Sequence, residues 1–512
     1  MPKFITPAEA VKLIRDGDCV ILNNFLGMYN AEQLTTALDK NFLETGHPKD
    51  LTVYCTAGLG GWTLGAPCEQ FIVHGAAKCL IMSHYSSMPE TAQMILDNKI
   101  EAYNLPFGAM SHCVRAAAGG NPYVISDVGL NLFVDPKYGE YQLNERSKQE
   151  LVQEIVIDGK RRLKYKAPEP DVALIKASSV DALGNISMEN EPVIGDPLSI
   201  AQATKRRGGT VIVQVERQLE RSRLPQEVVI PAVLVDYVCL TPEQTQIQGI
   251  PGTDLHYTGV LPMSDEELEQ YAQDHASNDP KNLAKRLIAR RAAQELREGD
   301  VVNIGVGAPE FVAVEAARAG MLSKVALTVE AGSMKGLPQG GLAFGAALGT
   351  QAICTTAEQF DFYDGGGLKV CFIGALEIDA EGNVNGHYNP KKLSGIGGFI
   401  NITQFTPKVV FCTTFSAGGL VIEHDDEHGL KIVKEGKFLK FAPKVTSLSF
   451  SAQNAHENKQ EITYVTERCV FKLGEKGLVL TEVAKGVDVK KDILDLLPFP
   501  VEVAENLKEM TF

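Results

Sequence analysis

VVNIGVG (301–307), PEFVAVEAARAG (309–320) and KVALTVE (324–330) follow one another in the second half of the chain. A β-branched run closed by glycines, a stretch of helical periodicity and a second β-branched run are the pattern of parallel strands joined by covering helices. The three pieces predict an open α/β domain. The first half repeats it. RDGDCVIL (15–22) matches REGDVVNI (297–304), LTVY (51–54) matches LTVE (327–330), and DALGNI (181–186) matches DAEGNV (379–384). The spacing between the paired landmarks shrinks toward the end of each half, which predicts an insertion of roughly 80 residues in the first copy. The expected architecture is therefore two related open, parallel-sheet α/β domains in one chain, from an internal duplication. We place them at residues 1–275 and 276–512.

The stretch from about Thr241 to Asn282, rich in Pro, Gly and acidic residues and with a polar helix in MSDEELEQYAQDH (263–275), reads as the linker region between the copies. Beyond the second copy, EITYVTERCVFKL and GLVLTEVA read as strands, and KKDILDLL (490–497) as a closing amphipathic helix.

Bulk properties narrow the function. Lys and Arg number 49 against 64 Asp and Glu, so the net charge of −15 offers no general attraction to phosphate backbones or anionic lipid. Neither nucleic acid nor membrane is an expected partner. No apolar run approaches the roughly 20 residues of a membrane span, and the first residues lack the apolar core of a signal peptide, so a cytoplasmic location is expected. Ten cysteines lie scattered with no CxxC pair or Cys/His cluster, which predicts neither a disulfide framework nor a metal site.

Several motifs have the composition of chemistry. Asn303-Ile304-Gly305-Val306-Gly307 follows a strand and opens a helix with Pro309 in its first turn, an arrangement that either cradles an anion or is simply a tight turn. Ser394-Gly395-Ile396-Gly397-Gly398 and Asp364-Gly365-Gly366-Gly367 are further glycine clusters, each either an amide cradle or a surface turn. Glu330 stands at the carboxyl end of an apolar strand and is followed by glycines, where open parallel sheets bind ligands. The alternative is a capping Glu or one paired with Lys335. The repeat puts Tyr54 opposite it, so only the second copy carries a carboxylate there. His74, His84 and His112 have no ligand spacing and read as structural. Thr414-Phe415-Ser416-Ala417-Gly418 lacks the first glycine of a nucleophile elbow.

VEAGSMKGLPQGGLAFG (329–345), QFDFYDGGGLKVCFIGALEIDAEGNVN (359–385), LSGIGGFINI (393–402) and FCTTFSAGGL (411–420) resemble the family I coenzyme A transferases. NKIEAYNLPFGAMSHCVRAAAG (98–119) and SDVGLNLFVDP (126–136) extend the resemblance over nearly the whole chain, with the fused single-chain acetate/propionate CoA-transferases nearest. Lys335 and Asn23-Asn24-Phe25 depart from the family pattern and bear on the shape of the acyl pocket. The resemblance implies an enzyme that moves CoA from a short-chain acyl-CoA to a free carboxylate such as acetate, with Glu330 as nucleophile and Gly398 as oxyanion donor. It implies CoA contacts at Asn303, Ile304, Gly305, Val306, Gly307, Ser394 and Gly397, and Lys408 as a candidate for a CoA phosphate. Coenzyme A would be substrate and covalent intermediate, with no other cofactor. A homo-oligomer, foremost a tetramer, is expected. Two other readings stay open, an acyl-CoA hydrolase of the same family and a non-catalytic CoA or metabolite sensor.

Overall fold

The computed structural model describes residues 1–277 and 279–512. Each half is built on a parallel sheet. In the first, the strands run in the order Lys3–Phe4, Tyr237–Leu240, Thr210–Gln218, Val172–Val180, Cys19–Leu22, Leu51–Cys55, Ala77–Met82 and Glu101–Asn104. In the second, Ala326–Thr328, Val301–Ile304, Val370–Gly374, Lys408–Cys412 and Glu461–Val465 are consecutive neighbours and parallel. Reading Leu51, Cys19, Val172, Thr210 and Tyr237 against Ala326, Val301, Val370, Lys408 and Glu461 gives the same strand order twice. The duplication seen in the sequence is thus a duplication of topology.

The strands are what their composition demands. All nine residues of Val172–Val180 are buried, as expected of a central parallel strand covered on both faces. The helix Glu310–Arg318 places Val312, Ala313, Ala316 and Ala317 inward at helical spacing. The largest buried apolar cluster runs through both halves, from Ile21 to Ile493, so the two sheets share one core.

The insertion falls where the offsets place it. Between Leu51–Cys55 and Val172–Val180 the first half adds two more parallel strands, helices Pro89–Leu96 and Phe107–Ala118, and a three-stranded antiparallel sheet of Tyr123–Ser126, Lys160–Lys166 and Val152–Ile157. The second half spans the matching interval with short antiparallel pairs.

Three details differ from expectation. Residues 490–497 form turns and a single 3₁₀ turn at Leu494–Leu496, not an amphipathic helix, and an unexpected strand, Glu502–Met510, follows. Ile493, at φ −131°, breaks the helical path, and Pro498 keeps its predecessor Leu497 extended. Second, Tyr54 pairs with Ile21 while Thr328 pairs with Asn303, so the register aligns Tyr54 with Thr328 and makes Thr56 the counterpart of Glu330. The sequence match was two residues out of step. Third, the polar helix expected in MSDEELEQYAQDH forms as Asp265–Asp274 behind a Ser264/Glu267 capping box, but it packs with the second half. Its Leu268 and Ala272 join the core of the second half, although a division at 275/276 assigns them to the first.

Candidate active site

Glu330 sits on a tight reversal between Ala326–Thr328 and the antiparallel Ser333–Met334. The Val329 N–H donates to the Ser333 carbonyl and the Gly332 N–H to the Val329 carbonyl, both at 3.0 Å. Gly332 has φ +124°, and a Cβ there would lie 2.2 Å from the Cys354 carbonyl oxygen, so only glycine closes this turn. Glu330 lines a cavity of about 530 Å³ walled by both halves. Among the described residues no donor is bonded to its carboxylate, and burial pushes its pKa from 4.5 up to about 7.

The loop Ser394–Gly398 closes over it and is tied to the first half. Tyr85 and Ser86 N–H groups donate to the Ser394 carbonyl at 2.8 and 3.0 Å, Ile396 N–H to Asn104 Oδ1 at 3.0 Å, and Gly397 N–H to the Ser83 carbonyl at 2.8 Å. Gly395 has φ +82°, and a side chain there would meet the Ser83 oxygen at 2.6 Å. Gly398 caps the helix Phe399–Gln404 and lies against the nucleophile candidate, for a Cβ on it would be 3.3 Å from Glu330 Cδ. Its own N–H has no acceptor among the described residues.

Gly305, Val306 and Gly307 form another wall. The Gly305 N–H donates to the Phe372 carbonyl at 2.8 Å and the Gly307 N–H to Glu310 Oε1 at 2.9 Å. Two amides of the possible anion cradle are therefore occupied within the protein. Asn303 lies beneath the loop, buried, with Nδ2 3.2 Å from Tyr363 Oη, and Ile304 faces a smaller neighbouring cavity. The structure thus gathers Glu330, Gly305, Val306, Gly307, Ser394, Gly397 and Gly398 around one cavity and leaves Asn303 and Ile304 off its wall.

Other candidates resolve into structural roles. Gly365 ends the helix Thr356–Asp364, and Gly367 packs on the Phe362 ring, so that glycine run is a helix terminator and not an amide cradle. Lys408 pairs with Glu295 at the amino end of its strand, the opposite end from Glu330, which rules it out as a phosphate contact at this cavity. Lys335 lies 3.4 Å from Asp265 rather than on Glu330. His74 and His112 bond to Asp39 and Asp361 at 2.7 and 3.0 Å.

Phe25, which the sequence placed near the acyl pocket, does line the wall, and so do residues that sequence reasoning did not assign to it: Trp62, His84 and Phe107 from the first half, and Lys285, Lys392 and Lys440 from the second. His84 is not merely structural in position: it lines the cavity, 2.7 Å from Ser86 Oγ, and burial pushes its imidazole down to about 4. It is neutral at pH 7. The available signal was the glycine-rich TAGLGGW (56–62), which follows its strand as EAGSMKG (330–336) follows the equivalent one. The lysines had no such signal, for they are far apart in sequence.

A duplicated parallel-sheet fold with a strand-end carboxylate facing a glycine amide across a two-sided cavity defines a class. The coenzyme A transferase family model matches residues 4–241 and 285–411, and the chain belongs to that family. It is a CoA-transferase. It is 38% identical to the acetate CoA-transferase YdiF of Escherichia coli K12, over 99% of this chain and 94% of that protein. It is 37% identical to the caffeate CoA-transferase of Acetobacterium woodii, over 100% of this chain and 97% of the relative. Among solved structures, the thioester complex of the Escherichia coli O157:H7 acyl-CoA transferase YdiF with CoA superposes with a TM-score of 0.91 at 35% identity, covering 100% of this chain and 95% of that one. No helix among the described residues is long and apolar enough to cross a membrane.

Proposed function

We propose that the enzyme transfers CoA from a short-chain acyl-CoA to a free carboxylate such as acetate, through a glutamyl-CoA thioester on Glu330. One observation carries the reading. Among the described residues Glu330 is an unpaired carboxylate, raised to about 7 by burial, against the unpaired amide of Gly398. Such a group has the basicity of a nucleophile and a donor beside it for developing negative charge.

A Glu330 oxygen attacks the thioester carbonyl, and Gly398 N–H holds the tetrahedral oxyanion. The carbon–sulfur bond breaks, giving CoA thiolate and an acyl-glutamyl anhydride. The thiolate then attacks Glu330 Cδ, releasing the first acid as its carboxylate and leaving glutamyl-CoA. The acceptor carboxylate attacks Cδ in turn and expels the thiolate, which takes the new acyl group and frees Glu330. No net proton moves, and CoA is a substrate with no further cofactor invoked. Lys285, Lys392 and Lys440 supply positive charge to the cavity wall, suited to CoA phosphates. Phe25, Phe107 and Phe344, with ring centroids 5.7 and 6.0 Å from Phe25, close the apolar end and favour a short acyl group. The reading includes the short-chain acids, propionate among them, as exchange partners, a cytoplasmic location and a homo-oligomeric, foremost tetrameric, assembly.

Steady-state kinetics with acetyl-CoA and propionate varied together test it. Parallel double-reciprocal lines are expected for ping-pong exchange, with little CoA release when propionate is omitted. Intersecting lines exclude the covalent route, and fast acceptor-independent hydrolysis would make the protein a thioesterase.

A further inference from the structure

The twelve-residue helix Phe107–Ala118 belongs to the first half and begins at the cavity. Its first two amides are bonded to the second half, one to the glycine loop and one to the helix Phe399–Gln404 that follows it. The Phe107 N–H donates to the Gly397 carbonyl at 3.0 Å, and the Gly108 N–H to Asn401 Oδ1 at 3.2 Å. Asn401 is fully buried, its Nδ2 held by both Asp364 oxygens at 3.0 and 3.1 Å. The junction admits no side chain at 108, where a Cβ would lie 2.5 Å from Asn401 Nδ2.

The Gly397 carbonyl and the Gly398 N–H are two ends of one planar, resonant peptide group. A hydrogen bond received at the oxygen draws density from nitrogen and strengthens the N–H as a donor, and hydrogen-bonded chains reinforce one another in this way. Here the bond comes from the positive end of a helix dipole. We infer that the Phe107 N–H is a positioning group for the reaction: it fixes and polarises the Gly397–Gly398 peptide, so that the first half contributes to oxyanion stabilisation without touching the oxyanion. The inference rests on the reading of Gly398 as the oxyanion donor. It also gives a physical reason for two sheets to share one site, since the donor sits on one half and its polariser on the other.

An amide-to-ester replacement isolates that N–H. Phenyllactic acid incorporated at position 107 keeps the ring and replaces N–H by oxygen. The hydroxy analogue of methionine at 110 makes the same change within the helix, where the Met110 N–H bonds the Pro106 carbonyl at 3.0 Å. With acetyl-CoA as donor and propionate as acceptor, the ester at 107 should lower kcat about 10-fold, less than the 10²- to 10³-fold of losing an oxyanion donor outright. KM for acetyl-CoA should stay within about twofold, and the ester at 110 should keep wild-type kcat. Unchanged kcat at 107, or an equal fall in both esters, overturns the inference while leaving the transfer reaction standing. A wild type that transfers nothing between these substrates removes the underlying reading and the inference with it. If the 107 ester fails to fold, Phe107→Ala and Phe107→Pro pose the same question, because proline suits a first helical position but has no N–H. A kcat about 10-fold lower for Pro than for Ala supports the inference, and equal values overturn it.

Discussion

Glu330 is costly to the fold in proportion to its use in the reaction. Its folded pKa of about 7 lies above the unfolded 4.5, so below pH 4.5 the group is neutral in both states and costs nothing. As pH rises through the window to about 7, the unfolded chain ionises first and stability is lost. Glu330→Gln should therefore be more stable than wild type at pH 8, by about 1 kcal/mol after allowance for screening at the cavity wall, and indistinguishable at pH 4. Thermal melts at the two pH values decide this, and equal stability at pH 8 would mean the carboxylate is well solvated. Activity should move the opposite way. The wild-type rate of acylation should climb with pH through about 7, because only the ionised carboxylate attacks, and Glu330→Gln should lose about 10⁴-fold in kcat. Glu330 was legible because an acidic residue ending an apolar strand before glycines is out of place in a core. His84 was not, since nothing in its neighbours pairs it with an acid, and its position on the wall depends on a loop from the other half docking against it.

The loop and turn elements make the site by excluding side chains. At Gly398 a Cβ would stand 3.2 Å from both Ile402 Cδ1 and Phe360 Cζ and 3.3 Å from Glu330 Cδ, so a branched residue must displace one of them. Gly398→Val should lower kcat about 10²-fold with a smaller change in KM, as expected when one oxyanion donor is moved. Unchanged kinetics would reduce the loop to a turn. Elements were legible where periodicity was sustained, as in Glu310–Arg318 and the β-branched strands. Glycine clusters were less so: LSGIGGF and DGGGL look alike in composition, yet one caps a helix beside Glu330 and the other merely ends a helix. Composition reports that backbone must come close to something, and only packing reports to what. The 490–497 segment misled for a related reason, since its apolar spacing suits a helix that the backbone breaks at Ile493 and before Pro498.

At the scale of the molecule, the repeat was visible in the sequence, but the cavity between the copies was not, because no local pattern records which face of one sheet meets the other. Its wall draws Phe25, His84 and Phe107 from one half and Glu330 and Gly398 from the other. Opening the chain between Gly252 and Thr253, both exposed, should give two pieces that are inactive apart and regain transfer when co-expressed, with the Asp265–Asp274 helix kept beside the core it packs on. Activity in either piece alone would contradict a site built from both. The central claim is that the protein itself carries CoA between two acids, and the adduct it implies can be weighed. After brief incubation with acetyl-CoA alone, mass spectrometry should find one CoA in thioester linkage on the peptide containing Glu330, acetate released in equal amount, and no adduct in Glu330→Ala. Propionate should then discharge the adduct as propionyl-CoA. An enzyme that transfers CoA at full rate while showing no adduct, or an adduct that survives in Glu330→Ala, would contradict the account.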